Sequence, residues 1–230
     1  MKNRWLIASS AVGIHICIGS VYAWSVLTKP IMAALGISLK ETQWTFSLAI
    51  LFLGLSAGFL GGWVEKYGPR RSGLTAAFFY CSGMFGTCLA VHWQSLPLLY
   101  LFYGMIGGIG LGVGYITPVS TLVKWFPEKR GFATGIAIMG FGLASLVAGP
   151  LIQILMQKVG LVATFAVLGF LYLCIMVPSA LYLEPPLQSA SVLKTSGGKS
   201  SHLETLQVTA GAAIKTWQFW TLWWMLFINI

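Results

Sequence analysis

The sequence contains no aspartate, and its only acids are five glutamates in 230 residues. Charged residues of both signs make up 8% of the chain, against 57% hydrophobic. A soluble domain ordinarily ionises roughly a quarter of its residues to keep its surface wet, so this composition suits lipid as the solvent. What charge exists avoids the apolar interior. Lys, Arg, Asp and Glu are missing from six long apolar runs at 5–27, 43–63, 73–91, 96–123, 131–156 and 162–183. Enzyme chemistry is thereby nearly excluded and no catalytic residue is expected, because no carboxylate pair and no nucleophile with an evident base and orienting partner can be assembled. The four cysteines, Cys17, Cys81, Cys88 and Cys174, all fall inside those runs. They predict free thiols with no disulfide framework, no metal site and no cofactor.

Each run is about 20 residues or longer, enough to cross a hydrocarbon core of about 30 Å. The first is too long for the apolar region of a cleavable signal and is expected to remain as a helix. Residues 184–216 break the pattern with Pro185, Pro186 and a polar Thr-Ser-Gly-Gly-Lys-Ser-Ser stretch at 195–201, which reads as a solvated linker. A further apolar run opens at Trp217 and reaches Ile230 after 14 residues, a helical rise of about 21 Å. The expected fold is therefore an all-α membrane protein. It comprises a six-transmembrane-helix bundle at 1–183, a cytoplasmic linker at 184–216 and a truncated seventh helix at 217–230. Six helices, a linker and a restart match a twelve-helix carrier built of two halves, each made of three-helix repeats. Membrane lipid and a missing C-terminal six-helix half are the expected partners.

The net charge of +9 would suggest nucleic acid in a soluble protein, but here the positions of the charges give a different meaning and no nucleic acid is expected. Lys2 and Arg4; Lys66, Arg70 and Arg71; Lys124, Lys129 and Arg130; and Lys194, Lys199 and Lys215 occupy alternate loops, leaving Lys29, Lys40 and Lys158 to the others. The positive-inside rule then places the N-terminus in the cytoplasm and the protein in the cytoplasmic (cell inner) membrane, crossing it many times.

The loops also carry motifs. Gly61-Gly62-Trp63-Val64-Glu65-Lys66-Tyr67-Gly68-Pro69-Arg70-Arg71 resembles the signature loop between helices 2 and 3 of the major facilitator superfamily, with Glu for the usual Asp and Pro69 in place of the first basic residue. Gly61 is expected to allow close helix approach, and Gly68 to supply a tight turn. Glu65, Lys66, Arg70, Arg71 and Arg130 are expected to form a conformational latch, any charge relay using Arg70 or Arg71. Lys124-Trp125-Phe126-Pro127-Glu128-Lys129-Arg130-Gly131-Phe132-Ala133-Thr134-Gly135, together with Gly19-Ser20-Val21-Tyr22-Ala23-Trp24-Ser25-Val26, most resembles the oxalate/formate antiporter family. Monocarboxylate transporters are the nearest alternative. The resemblance runs from about residue 5 to 183 and implies a cavity lined by helices 1, 2, 4 and 5, with helices 3 and 6 toward lipid.

Candidate substrate contacts follow from those helices. His15, Gly19, Tyr22 and Val26 share one helical stripe, and His15 falls about 15 Å into the span. An ionisable group at that depth is costly unless it faces a cavity or a partner, so His15 is a functional candidate; a neutral imidazole satisfied by a neighbouring helix is the plainer possibility. Tyr22 and Tyr115 are expected to present hydroxyls, and Trp44 either touches substrate or sits in an interfacial belt. Gly104, Gly108 and Gly112 form a small-residue stripe for close packing, with no register for a nucleotide-binding loop. In helix 5, Ser145 to Pro150 partly resembles the superfamily's antiporter motif, so Gly149 and Pro150 are assigned to packing and Pro150 to a kink. Phe141 stands where dicarboxylate carriers of the family resembled would have an aromatic hydroxyl. Ala49 and Ile50 replace polar amides. This apolar half-cavity favours a small monocarboxylate over oxalate. The sequence reads as a secondary transporter moving a small organic anion by alternating access. A proton-coupled symporter, a facilitator of another solute and a non-transporting membrane sensor are the alternatives.

Overall fold

The computed structural model describes residues 3–186 and 210–229. Among them every regular element is helical and there is no strand. Four helices are long and apolar enough to cross a bilayer: Arg4–Leu35, Leu39–His92, Leu96–Trp125 and Pro127–Tyr182. Two of these are double. At Gly68 (φ 78°, ψ 168°) and Gly160 (φ 80°, ψ 168°) the backbone leaves helical geometry for a single residue. A positive φ of this kind is open to glycine and strained for any residue with a Cβ. The result is six helices: α1 (Arg4–Leu35), α2 (39–67), α3 (69–92), α4 (Leu96–Trp125), α5 (130–159) and α6 (161–182).

The two glycine reversals share a second device. Ser72 Oγ donates to Gly68 O at 2.9 Å and Thr164 Oγ1 to Gly160 O at 2.7 Å. Each reversal thus has a buried hydroxyl four residues on that bonds back to the carbonyl of the turn glycine. At the start of α2 the turn is made differently. Gly36 in left-handed geometry ends α1, and Ser38 caps α2 in a reciprocal box with Glu41. Ser38 Oγ and its backbone N–H reach Glu41 Oε2 at 2.7 and 2.8 Å. The Ser38 hydroxyl, then its backbone N–H, hold the Glu41 carboxyl below its ordinary range. The contribution of this cap is therefore present above the ordinary carboxylate range and lost as pH falls through the lowered value.

Helices approach where side chains vanish. A Cβ on Gly104 would lie 2.9 Å from Leu48 Cβ, one on Gly108 would lie 2.7 Å from Ala49 O, and one on Gly112 would overlap Ser56 and Leu53. The stripe thus seats α4 on α2. Gly110 does the same against Tyr80 of α3, and Gly19 of α1 against Phe141 and Ala144 of α5. α6 closes on α1 through Gly13 and Ser179 and on α3 through Gly73 and Ala180. The outward faces of α3 and α6 leave Phe78 and Phe170 exposed.

Some expectations need correction. A Cβ on Gly61 would have no neighbour within 4 Å, and one on Gly149 would meet only Val26 Cγ2 at 3.9 Å, so neither marks a close approach within this bundle. The helix continues through Pro150 with helical dihedrals, and the residue that separates α5 from α6 is Gly160. Ala49 is fully buried beneath Gly108 rather than lining a cavity. Residues 210–229 form a unit of their own, with a turn at Ala210–Ala213 and a helix α7 (Trp217–Asn229). Most of the expected linker, with Lys194 and Lys199, lies outside the described residues, as does Ile230.

Candidate functional site: an aromatic cluster around Phe141

The site is built on a change of winding in α1. Over Ser20–Ala23 the helix tightens to 3₁₀ geometry. Ser20 explains this locally: its hydroxyl donates to Cys17 O at 2.7 Å and receives Tyr80 OH from α3 at 2.9 Å. Short hydroxyl side chains compete in this way with the backbone's own helical bonding. Trp24, just beyond, turns inward and packs on Tyr103 with ring centroids 4.4 Å apart. Tyr22, inside the tightened turn, remains 47% exposed.

Three of the four expected contact residues come together. The His15 ring stacks on Tyr115 at 5.8 Å and tilts against Phe141 at 5.9 Å. Tyr115 meets Phe141 edge-on at 5.3 Å, and Tyr22 meets it edge-on at 5.2 Å. Phe141 is thus the shared neighbour of a histidine and two tyrosines from α1 and α4. The sequence signalled it only as a departure from a hydroxyl-bearing position. Gly19 is what admits it, since any side chain there would strike the Phe141 carbonyl. Trp44 takes no part and stands 54% exposed toward the start of α2.

His15 departs from an open cavity group. It is fully buried, with Nδ1 2.7 Å from Ala137 O on α5 and Nε2 3.2 Å from Tyr115 O on α4. Both nitrogens face main-chain carbonyls, so the ring braces α1, α4 and α5. Tyr22 is the most exposed member of the cluster, with Tyr115 half-buried behind it.

At the end of the bundle bearing the basic loops, Lys124 Nζ donates to Glu65 Oε2 at 2.6 Å. Glu65 thus pairs with a base of the second loop, Lys124, and not with Arg70 or Arg71 of its own loop. The glycine stripe holds α4 along α2, so the end of α4 meets Glu65. Lys66 lies over the Tyr67 ring at 5.5 Å, while Arg70, Arg71 and Arg130 are exposed. The same end is knit by aromatics. Trp5 meets Phe126 at 5.7 Å and Phe132 at 6.5 Å, Arg4 lies over Phe126 at 5.8 Å, and Trp125 Nε1 donates to Glu184 O at 2.7 Å. Lys124 and Trp125 stand at the head of the second loop motif, the one signal that pointed to them. Among the described residues no group of histidine, cysteine and acid side chains could hold a metal ion.

Six long apolar helices, seated on one another by glycine and enclosing an aromatic cluster with no acid in it, define a polytopic membrane bundle of the kind carriers are made from. The Major Facilitator Superfamily profile matches residues 10–230, and the chain belongs to that superfamily. It is 30% identical over 222 residues to the MFS-type transporter YhjX of Escherichia coli (strain K12), covering 96% of this chain and 53% of that protein. It is 30% identical over 225 residues to the oxalate:formate antiporter of Oxalobacter formigenes, covering 97% and 51%. Monocarboxylate transporter 2 of Homo sapiens is 29% identical over 202 residues, covering 85% and 41%. The chain thus spans about half the length of the curated relatives it matches, and those relatives are transporters rather than enzymes.

Proposed function

We propose that this chain supplies the N-terminal half of a secondary transporter that moves a small organic anion by alternating access, with residues 1–183 as its six-helix bundle, 184–216 as linker and 217–230 as the opening of a seventh helix. Tyr22 is the observation that carries the reading. It is a half-exposed phenol on the rim of a cluster that contains no acid to repel an anion. Such a phenol can donate to a carboxylate in an otherwise apolar surround, where few placed polar groups fix orientation. Phe141 offers no second hydroxyl, which favours one carboxylate over two, and likeness to a monocarboxylate transporter points the same way, while likeness to an oxalate:formate antiporter supports a small carboxylate of either kind. The cationic groups that would complete anion binding are assigned to the remaining half. Glu65 and Lys124 belong to the latch at the cytoplasmic end, the N-terminus facing the cytoplasm of the cell that houses it in its inner membrane.

The test is uptake and counterflow of labelled formate, pyruvate and oxalate in vesicles reconstituted with the complete gene product. Saturable flux with monocarboxylate preferred over oxalate is expected. Ligand binding without flux would instead indicate a sensor and overturn the reading.

A further inference from the structure

We infer that His15 is a proton-binding site, occupied as an imidazolium clamped between two main-chain carbonyls, and that it takes up its proton together with the carboxylate; the inference rests on the reading that the substrate is an organic anion. The geometry behind it is the pair of oxygens. A neutral imidazole has one N–H and one bare nitrogen lone pair, whereas carbonyl oxygens only accept. Ala137 O stands 2.7 Å from Nδ1 and Tyr115 O stands 3.2 Å from Nε2. In the neutral ring one of these contacts sets lone pair against lone pair. In the imidazolium both become N–H···O=C bonds of the charge-assisted kind. Because the acceptors are backbone atoms of two different helices, no rotamer change can withdraw them.

The opposing term is the burial of a charge. The groups facing His15 come from every element packed on it: Tyr115 from α4, Phe141 and Ala137 from α5, and Tyr22 from its own helix across Phe141. None of them is an acid, and the six apolar runs contain none. The bundle therefore supplies two dipoles for the imidazolium and no counter-charge. A carboxylate held at Tyr22, against the same Phe141 ring, is the anion that would balance it. The short contact assigns the resident proton to Nδ1, so the incoming proton adds at Nε2, facing Tyr115 O, and leaves from it when the carboxylate leaves. One proton and one carboxylate cross together, and charge balances.

The experiment is calorimetric titration of the complete gene product with formate and with pyruvate, in two buffers of different ionisation enthalpy, from pH 5 to 8.5. The wild type should take up close to one proton per carboxylate bound at the alkaline end, its affinity falling about tenfold per pH unit there. His15→Gln, which keeps a donor and an acceptor but cannot be charged, should bind with no proton uptake and a flat pH profile. Binding without proton uptake in the wild type overturns the inference while leaving the anion reading intact, as does uptake that persists in His15→Gln. Absence of carboxylate binding in the wild type removes both. Should His15→Gln fail to fold, nitrogen NMR decides, on a complete gene product in which His92, His202 and any histidine beyond residue 230 are replaced by Gln, leaving His15 as the observed histidine. Two protonated ring nitrogens with carboxylate bound support the site, and one bare nitrogen refutes it.

Discussion

Tyr22 and His15 are seven residues apart on one helix, yet one is half exposed and the other sealed. Regular winding would have given them the same face; the 3₁₀ turn at Ser20–Ala23 separates their surroundings. A phenol that donates to a carboxylate makes a hydrogen bond to a charged group, which contributes about 1.5–3 kcal/mol. Tyr22→Phe should therefore weaken apparent carboxylate affinity by roughly 10- to 150-fold with protein yield and thermal stability unchanged, as read from concentration-dependent uptake. Unaltered affinity would assign Tyr22 to packing against Phe141. Helical spacing and depth, on helices that the family resemblance turns toward a cavity, were enough to nominate His15, Tyr22 and Tyr115. It could not show that both histidine nitrogens are occupied, because their partners are backbone oxygens 122 and 100 residues away in sequence, and main-chain acceptors leave no mark in residue identity.

Among the elements, the spans were legible because bilayer thickness sets the length of an apolar run, but helix length answers to other terms. The first run stops at residue 27 by hydropathy, whereas α1 continues through Lys29 and Pro30 to Leu35. There the helix leaves the apolar stretch without ceasing to satisfy its backbone. Glycine was legible as a stripe but not as a set of contacts. Gly104, Gly108 and Gly112 do seat one helix on another; Gly61 and Gly149 do not. These two groups should differ in sign when substituted. Gly112→Ala places a methyl on Ser56 and Leu53 and should cost about 1–3 kcal/mol. Gly61→Ala meets open space in mid-helix and should gain up to about 1 kcal/mol. Thermal unfolding in detergent compares them, and a stabilising Gly112→Ala would refute the seating of α4 on α2.

For the whole molecule, the alternation of basic loops predicts that a reporter fused after Lys194 lies in the cytoplasm and one inserted at Gln94 lies outside. Finding residue 94 inside would invert the orientation. The Glu65–Lys124 pair belongs to this scale, although each partner is partly exposed, at 56% and 40%. Such pairs contribute about 0–1 kcal/mol, too little to decide folding but enough to tilt two conformations of comparable free energy. Glu65→Gln in the complete gene product should leave insertion intact and slow turnover by up to about fivefold. Equal turnover numbers would make the pair incidental to transport.

The glycine reversals have a consequence for how the bundle meets a protease. Gly68 and Gly160 fold the chain back within one residue, so Lys66, Arg70, Arg71 and Lys158 all remain in helix right up to the reversal. Trypsin needs a stretch of backbone that can open locally into an extended strand, and cleavage concentrates where backbone bonds are loosely held. Despite their basic residues and their exposure at opposite ends of the bundle, these sites should survive limited digestion from either side of the membrane, leaving α2 joined to α3 and α5 to α6 as paired fragments on a gel.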